Sequence, residues 1–153
     1  MTEDTSSGEM KPWMEVAYSL LGEKEIPGGQ HNPKILEFFR ASGLKVHDDE
    51  TPWCDAFLDY CIAKAGYQPS PGARARSELD WEGFEGVEES ELRQGDIVVF
   101  SRAGGGPGSG HVGFFDHWTE DGRLAILGGN QSDQVKISFF TTDNVLGYRR
   151  VIE

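Results

Sequence analysis

Thr51-Pro52-Trp53-Cys54-Asp55-Ala56-Phe57 and Gly110-His111-Val112-Gly113-Phe114-Phe115 are the two stretches whose reading decides the fold of this 153-residue chain. The first predicts the start of a helix. Thr51 can cap it, Pro52 fits its first position, and Phe57, Leu58, Cys61 and Ile62 carry the apolar spacing on to Gly66, a left-handed terminator. Cys54 then falls at roughly the third position of the first turn. The second stretch predicts an apolar strand with His111 at its start.

Outward from these, the two halves of the chain have different periods. Pro12 opens a helix whose stripe is Trp13, Val16, Ala17, Leu20 and Leu21. Asn32-Pro33 caps and starts another, through Ile35, Leu36, Phe38 and Phe39 to Gly43. Pro27-Gly28-Gly29 predicts a turn. Residues 67–94 are less regular. After Gly95, strands are expected at Asp96–Phe100, His111–Trp118, Arg123–Leu127, Val135–Phe139 and Leu146–Arg150, with Asp121-Gly122 as a hairpin turn. Helices first and neighbouring strands afterwards predict an α+β fold: N-terminal helices packed on a C-terminal antiparallel sheet of about five strands. Residues 1–11 are expected to be disordered and residues 12–153 to form one domain.

Composition excludes several classes of function. The formal net charge is -12, which argues against a nucleic-acid partner because phosphate binding needs clustered Lys and Arg. No apolar run approaches the ~20 residues that span a bilayer, so membrane insertion is not expected. The acidic Thr2-Glu3-Asp4 lacks the basic and apolar regions of a signal peptide. The protein is therefore expected to be made in the cytoplasm. The glycine-rich segment Gly104–Gly110 lacks the Gly-Lys-Ser/Thr ending of a phosphate loop and precedes a strand, so a flexible connection is expected. Cys54 and Cys61, seven residues apart on one helix, would have Cα atoms roughly 10 Å apart, and a disulfide needs about 4.4–6.8 Å.

Two residues invite catalytic chemistry. A thiol becomes a nucleophile as its thiolate, which a helix N-terminus and a nearby imidazole both favour. Cys54 meets the first condition and His111 could supply the second, as the base that takes the thiol proton and later protonates a leaving amine. Cys54 as a small buried hydrophobe and His111 as an ordinary strand-end residue are the competing structural readings. His31 and His47 lie in polar loops. His117, six residues down the same strand, would be about 20 Å from His111. For a third residue that orients the imidazole, Asn130 in Leu127-Gly128-Gly129-Asn130-Gln131 is the candidate and Asp116 its rival, although Asp116 sits at an odd offset from His111. There is no His-Glu-x-x-His, no Cys-x-x-Cys and no compact ligand spacing, so no metal or other cofactor is expected.

The chain resembles the CHAP and NlpC-like cysteine peptidases of the papain-like fold. Four blocks carry the resemblance in order: Pro52–Phe57, Gln94-Gly95-Asp96-Ile97-Val98-Val99-Phe100, His111–Phe115 and Leu127–Gln131, with Gly147-Tyr148-Arg149 similar to the closing strand. It implies Cys54 as nucleophile, His111 as general base, Asn130 as the orienting residue, and the Cys54 backbone N–H as an oxyanion donor. Many CHAP domains carry a glutamate near the position of Gly128 and NlpC-like enzymes often use a histidine as third residue; here the role falls to Asn130. Cleft walls that set specificity are expected at Trp53, Gln131 and residues 67–94.

The function implied is hydrolysis of peptidoglycan, as an N-acetylmuramoyl-L-alanine amidase or a stem endopeptidase, through an acyl-enzyme and without a metal. Action would be in the periplasm or cell wall, after lysis or non-classical secretion, as in phage lysis enzymes or injected antibacterial effectors. Peptidoglycan is the expected partner, the expected state is a monomer, and for an injected effector a cognate immunity protein is expected as well. The alternatives are a thiol-dependent acyltransferase or deamidase, and a catalytically silent binding module.

Overall fold

The computed structural model describes residues 10–25, 32–41, 53–70, 78–101 and 110–153. Among the described residues, three α-helices, α1 (Pro12–Ser19), α2 (Pro33–Ala41) and α3 (Cys54–Lys64), precede six strands. The strands are β1 (Phe84–Gly86), β2 (Ile97–Ser101), β3 (Gly110–Trp118), β4 (Leu124–Gln131), β5 (Gln134–Phe140) and β6 (Val145–Val151). They form one sheet in the order β1-β6-β2-β3-β4-β5, and every adjacent pair is antiparallel. The α+β expectation holds. The sheet has one strand more than expected: β1, three residues long, lies in the stretch the sequence left irregular.

Period-two alternation in β2 and β3 divides the core into two layers. Ile97, Val99, Val112 and Phe114 face the helices, together with Leu127. Val98, Phe100 and Phe115 point to the opposite face, where Leu124 and Ile126 complete a second cluster. A strand buried on both faces needs a continuous apolar run, which Ile97-Val98-Val99-Phe100 provides. Asp96, just before β2, is clamped by Arg150 of β6, whose Nε and Nη2 donate to its two carboxylate oxygens at 2.8 Å each. This planar two-bond pairing aligns the two strands.

Helix α3 lies at the centre: α1 and α2 pack on it, and it lies on β3 and β4. Every residue from Cys54 to Ile62 is buried, so this helix is a core element on all sides and not an amphipathic one. Burying a side chain of the size of Phe57 contributes about 1.5–3 kcal/mol. The helix begins at Cys54, with Trp53 as its N-cap residue, so the cysteine stands at the first position and not the third. Thr51 and Pro52 lie outside the described residues. Gly66, at φ +92°, takes the left-handed conformation expected after the last turn. Asn32 caps α2 as expected, its Oδ1 accepting from the Lys34 N–H at 2.8 Å.

Gly129 sets how closely α3 approaches the sheet. A Cβ at this position would stand 2.7 Å from the Phe57 Cβ and 2.7 Å from Trp53 Cζ3. Gly129→Ala should therefore push the helix off β4 and destabilise the protein by about 1–3 kcal/mol, measured by urea unfolding; an unchanged midpoint would show that the packing yields freely.

Candidate active site

His111 is buried at the start of β3, on the sheet face turned away from the helices. Its cross-strand neighbour is Phe100, and its ring lies 6.2 Å from that of Phe100 and 5.6 Å from that of Phe140. Cys54 belongs to the helix-side layer. Both arrive at the same end of the sheet. Trp53 and Phe57, flanking Cys54, touch Gly129 near the end of β4, and β4 runs antiparallel to the strand that His111 begins.

The imidazole is held by Gln131. His111 Nε2 lies 2.8 Å from Gln131 Oε1. The Gln131 amide nitrogen donates to Ile126 O at 3.1 Å and to Lys136 O at 2.7 Å. Both amide hydrogens are thus committed to carbonyl oxygens, which fixes the amide with its oxygen toward the histidine. That oxygen can only accept, so Nε2 carries the proton and Nδ1 is left with the basic lone pair.

The backbone that makes this clamp is irregular. The β4–β5 pairing shifts register between Gly128 and Gln131, and Asn130, Ser132 and Asp133 all have positive φ, at 58°, 53° and 63°. Such a bulge re-aims a side chain, and three non-glycine residues in the left-handed region carry strain that the surrounding structure must hold. A Cβ at Gly128 would lie 2.7 Å from Gln131 Oε1. The glutamine amide therefore occupies the place that a side chain at residue 128 would need, where many CHAP domains carry their glutamate.

The remaining expected site residues fall elsewhere. Asn130 lines a cleft of about 440 Å³ beside His111, with Phe100, Phe139, Phe140 and Ser132; the group on Nε2 is Gln131. Trp53, expected on a cleft wall, is completely buried, where it donates to Glu25 Oε2 at 2.9 Å and packs against Phe38. Asp116 accepts hydrogen bonds from Tyr18 and Gln94 and pairs with the exposed His117, so it serves the α1–sheet contact. Cys54 and Cys61 are not joined by a disulfide, and burial pushes the thiol of Cys61 well up. His31, His47 and residues 102–109 lie outside the described residues.

Sequence reasoning missed a buried acidic cluster beside the helix start. Asp55 and Asp59 of α3 and Glu78 each offer an oxygen within 4.8 Å of the others, and all three side chains are buried. Burial is the main cause that raises all three, and Glu78 raises both aspartates further; Asp59 is pushed up to about 10. The i,i+4 spacing of the aspartates was visible in the sequence, but nothing in it pointed to Glu78.

Residues 46–130 match the family model of the CHAP domain. The chain belongs to the CHAP domain family. No curated protein matches it significantly. Among solved structures, this CHAP domain is similar to an NLP/P60 family protein, described as similar to lipoprotein, from Staphylococcus aureus subsp. aureus Mu50. The TM-score is 0.55 at 19% identity, over 99% of this chain and 45% of that one; the chain thus spans just under half the length of the staphylococcal protein. It is also similar to the P60 domain of an antigen from M. avium paratuberculosis, with TM-score 0.53 and 14% identity over 93% and 91% of the two chains. RipD of Mycobacterium tuberculosis gives TM-score 0.50 and 17% identity over 93% and 95%; it is described as a non-catalytic NlpC/p60 domain protein adapted to peptidoglycan binding. These likenesses place the CHAP domain in the papain-like α+β fold.

Two measurements test this geometry. Nitrogen-15 NMR of His111 near neutral pH should show the Nε2–H tautomer, and Gln131→Ala should give a mixture of tautomers; an Nδ1–H signal in the wild type would contradict the clamp. The raised carboxyls make the second. Their folded pKa values lie above their unfolded ones, so the stability they contribute is complete below the unfolded values and is lost as pH rises through the folded ones. The thermal midpoint should fall between about pH 5 and pH 9, and Asp59→Asn should flatten that fall.

Proposed function

We propose that this CHAP domain is a cysteine hydrolase that cuts an amide bond of peptidoglycan. The observation that carries the reading is the Gln131 clamp, which ties Nε2 of His111 and leaves Nδ1 as the acceptor, at the sheet end where α3 delivers Cys54. Peptidoglycan as substrate rests on the family resemblance, and a neighbour in fold is described as adapted to peptidoglycan binding.

In this mechanism His111 Nδ1 takes the Cys54 proton and the sulfur attacks the amide carbonyl carbon. The oxyanion that forms meets the first N–H groups of α3, that of Cys54 among them, which have no carbonyl partner within the helix. Collapse breaks the C–N bond, and the imidazolium gives its proton to the departing amine. Water, deprotonated by His111, then attacks the thioester and releases the acid and the thiol. Gln131 keeps the imidazole in the tautomer that each step needs. The cleft beside His111 joins phenylalanine rings to neutral hydroxyl and amide groups and, among the described residues, has no charged side chain in its lining. That lining suits an uncharged stretch of a glycopeptide.

Cys54 and His111 approach from opposite faces of the sheet, so the scissile carbonyl must sit around its end. The same observation favours a second reading, a module that binds peptidoglycan without cutting it. Mass analysis of muropeptides released from purified sacculi separates the two. Hydrolysis predicts release by the wild type, none by Cys54→Ala, and a loss of at least about 100-fold in His111→Ala. Gln131→Ala should lose more than Asn130→Ala. Sacculi bound by the wild type with no fragment released would establish the binding module.

A further inference from the structure

The proposed chemistry needs two elements to meet at one end of the sheet, and Glu25, which takes no part in that chemistry, is bonded toward both. Residues 22–25 run beside the start of β5 and are tied to it through the backbone. Gly22 N–H donates to Val135 O at 2.9 Å, Val135 N–H to Glu23 O at 2.8 Å, and Glu25 N–H to Asp133 O at 2.9 Å. Asp133 is the last of the three left-handed residues in the bulge that brings Gln131 to the imidazole. The main chain of Glu25 is thus pinned to the histidine side of the site.

Its side chain reaches the cysteine side. Glu25 Oε2 accepts from the indole N–H of Trp53 at 2.9 Å, and Trp53 is the N-cap residue of α3, directly before Cys54. The indole is completely buried, so its N–H needs an acceptor within the protein, and a carboxylate is a stronger one than a neutral oxygen. The far edge of the same ring, Cζ3 and Cε3, rests against Gly129. A ring held at both edges does not turn freely, so the backbone at residue 53 and the thiol that follows it are held with it. Asn32 braces the segment from the α2 side: its Nδ2 donates to Lys24 O at 2.8 Å and to Glu23 Oε1 at 3.1 Å.

We propose that Glu25 is a positioning residue of the active site, which links the bulge that aims Gln131 to the helix start that bears Cys54 and so sets the approach of sulfur to imidazole. The assignment rests on the proposed cysteine chemistry and adds a residue to it. Glu25 acts through Trp53 and is not in the lining of the cleft beside His111. Its loss should therefore slow the chemical step and leave substrate binding nearly intact, since a misplacement on the order of 1 Å costs up to about 100-fold in rate.

The test compares Glu25→Ala, which removes the acceptor, with Glu25→Gln, which keeps an acceptor oxygen for the indole, each well below its thermal midpoint. With solubilised peptidoglycan, Glu25→Ala should lower kcat about tenfold or more and change KM by less than about twofold. It should slow carbamidomethylation of Cys54 by iodoacetamide at least about threefold, leave Cys61 unchanged, and move the Trp53 indole N–H resonance. The nitrogen-15 signals of His111 should keep the Nε2–H tautomer, because the backbone bond from residue 25 to Asp133 survives the substitution. Glu25→Gln should restore most of each loss, and Tyr148→Phe, which removes a hydrogen bond to Glu89 elsewhere on the sheet, should reproduce none of them. Unchanged kcat and unchanged Cys54 labelling in Glu25→Ala would overturn the assignment. So would a glutamine variant as impaired as the alanine one, which would mark a role of charge in place of position. If Glu25→Ala does not fold, Glu25→Asp, one methylene short of the indole, takes its place with the same expected losses. A wild type that releases no fragment would defeat the proposed hydrolysis, while the labelling and the indole resonance still decide whether Glu25 positions Cys54.

Discussion

Helix α3 can rest on β4 only because residue 129 has no side chain. Trp53 and Phe57 press against that glycine from either side of Cys54, and the contact fixes where the helix begins relative to the sheet. The other two helices pack on α3, so their positions follow from it. One residue away, Gly128 leaves room for the Gln131 amide under the imidazole. Two adjacent glycines thus perform different tasks on opposite faces of one strand. The first admits the helix that bears the thiol, and the second admits the side chain that holds the histidine.

The sheet itself separates the two reactive groups. Alternation along β3 sends Val112 and Phe114 to the helix side and His111 with Phe115 to the other. A regular strand would leave a thiol and an imidazole on opposite sides of a wall. They can meet only at its edge, which is why both stand at the first position of their elements or next to it. The irregular backbone from Gly128 to Asp133 lies at this same end, where strand geometry must give way to aim Gln131.

Much of this was legible in the sequence. The change from helical to alternating period after Gly95 gave the order of elements, and the caps and turns at Asn32, Gly66 and Asp121-Gly122 bounded several of them. Strand β1 was missed because Phe84-Glu85-Gly86 is too short to show a period; it exists through pairing with β6, some sixty residues later. Asn130 was read as the orienting residue because it follows the strand beside that of His111 and by family resemblance, and Gln131 as a cleft residue; both line the cleft, and the irregular backbone from Gly128 brings the Gln131 amide to Nε2. Trp53 looked like a cleft wall for want of any local sign that Phe38 and Gly129 would enclose it. Glu78 could not be joined to Asp55 and Asp59 without the fold, since only tertiary packing brings it to α3.

If Cys54 and His111 form one reactive unit, the reactivity of the thiol must depend on the imidazole. Site-resolved carbamidomethylation by iodoacetamide near neutral pH can be followed for both cysteines in the wild type and in His111→Ala. Cys54 should react at least about tenfold faster than Cys61, and loss of the imidazole should remove most of the difference. Slow labelling of Cys54 at a rate indifferent to His111 would contradict it.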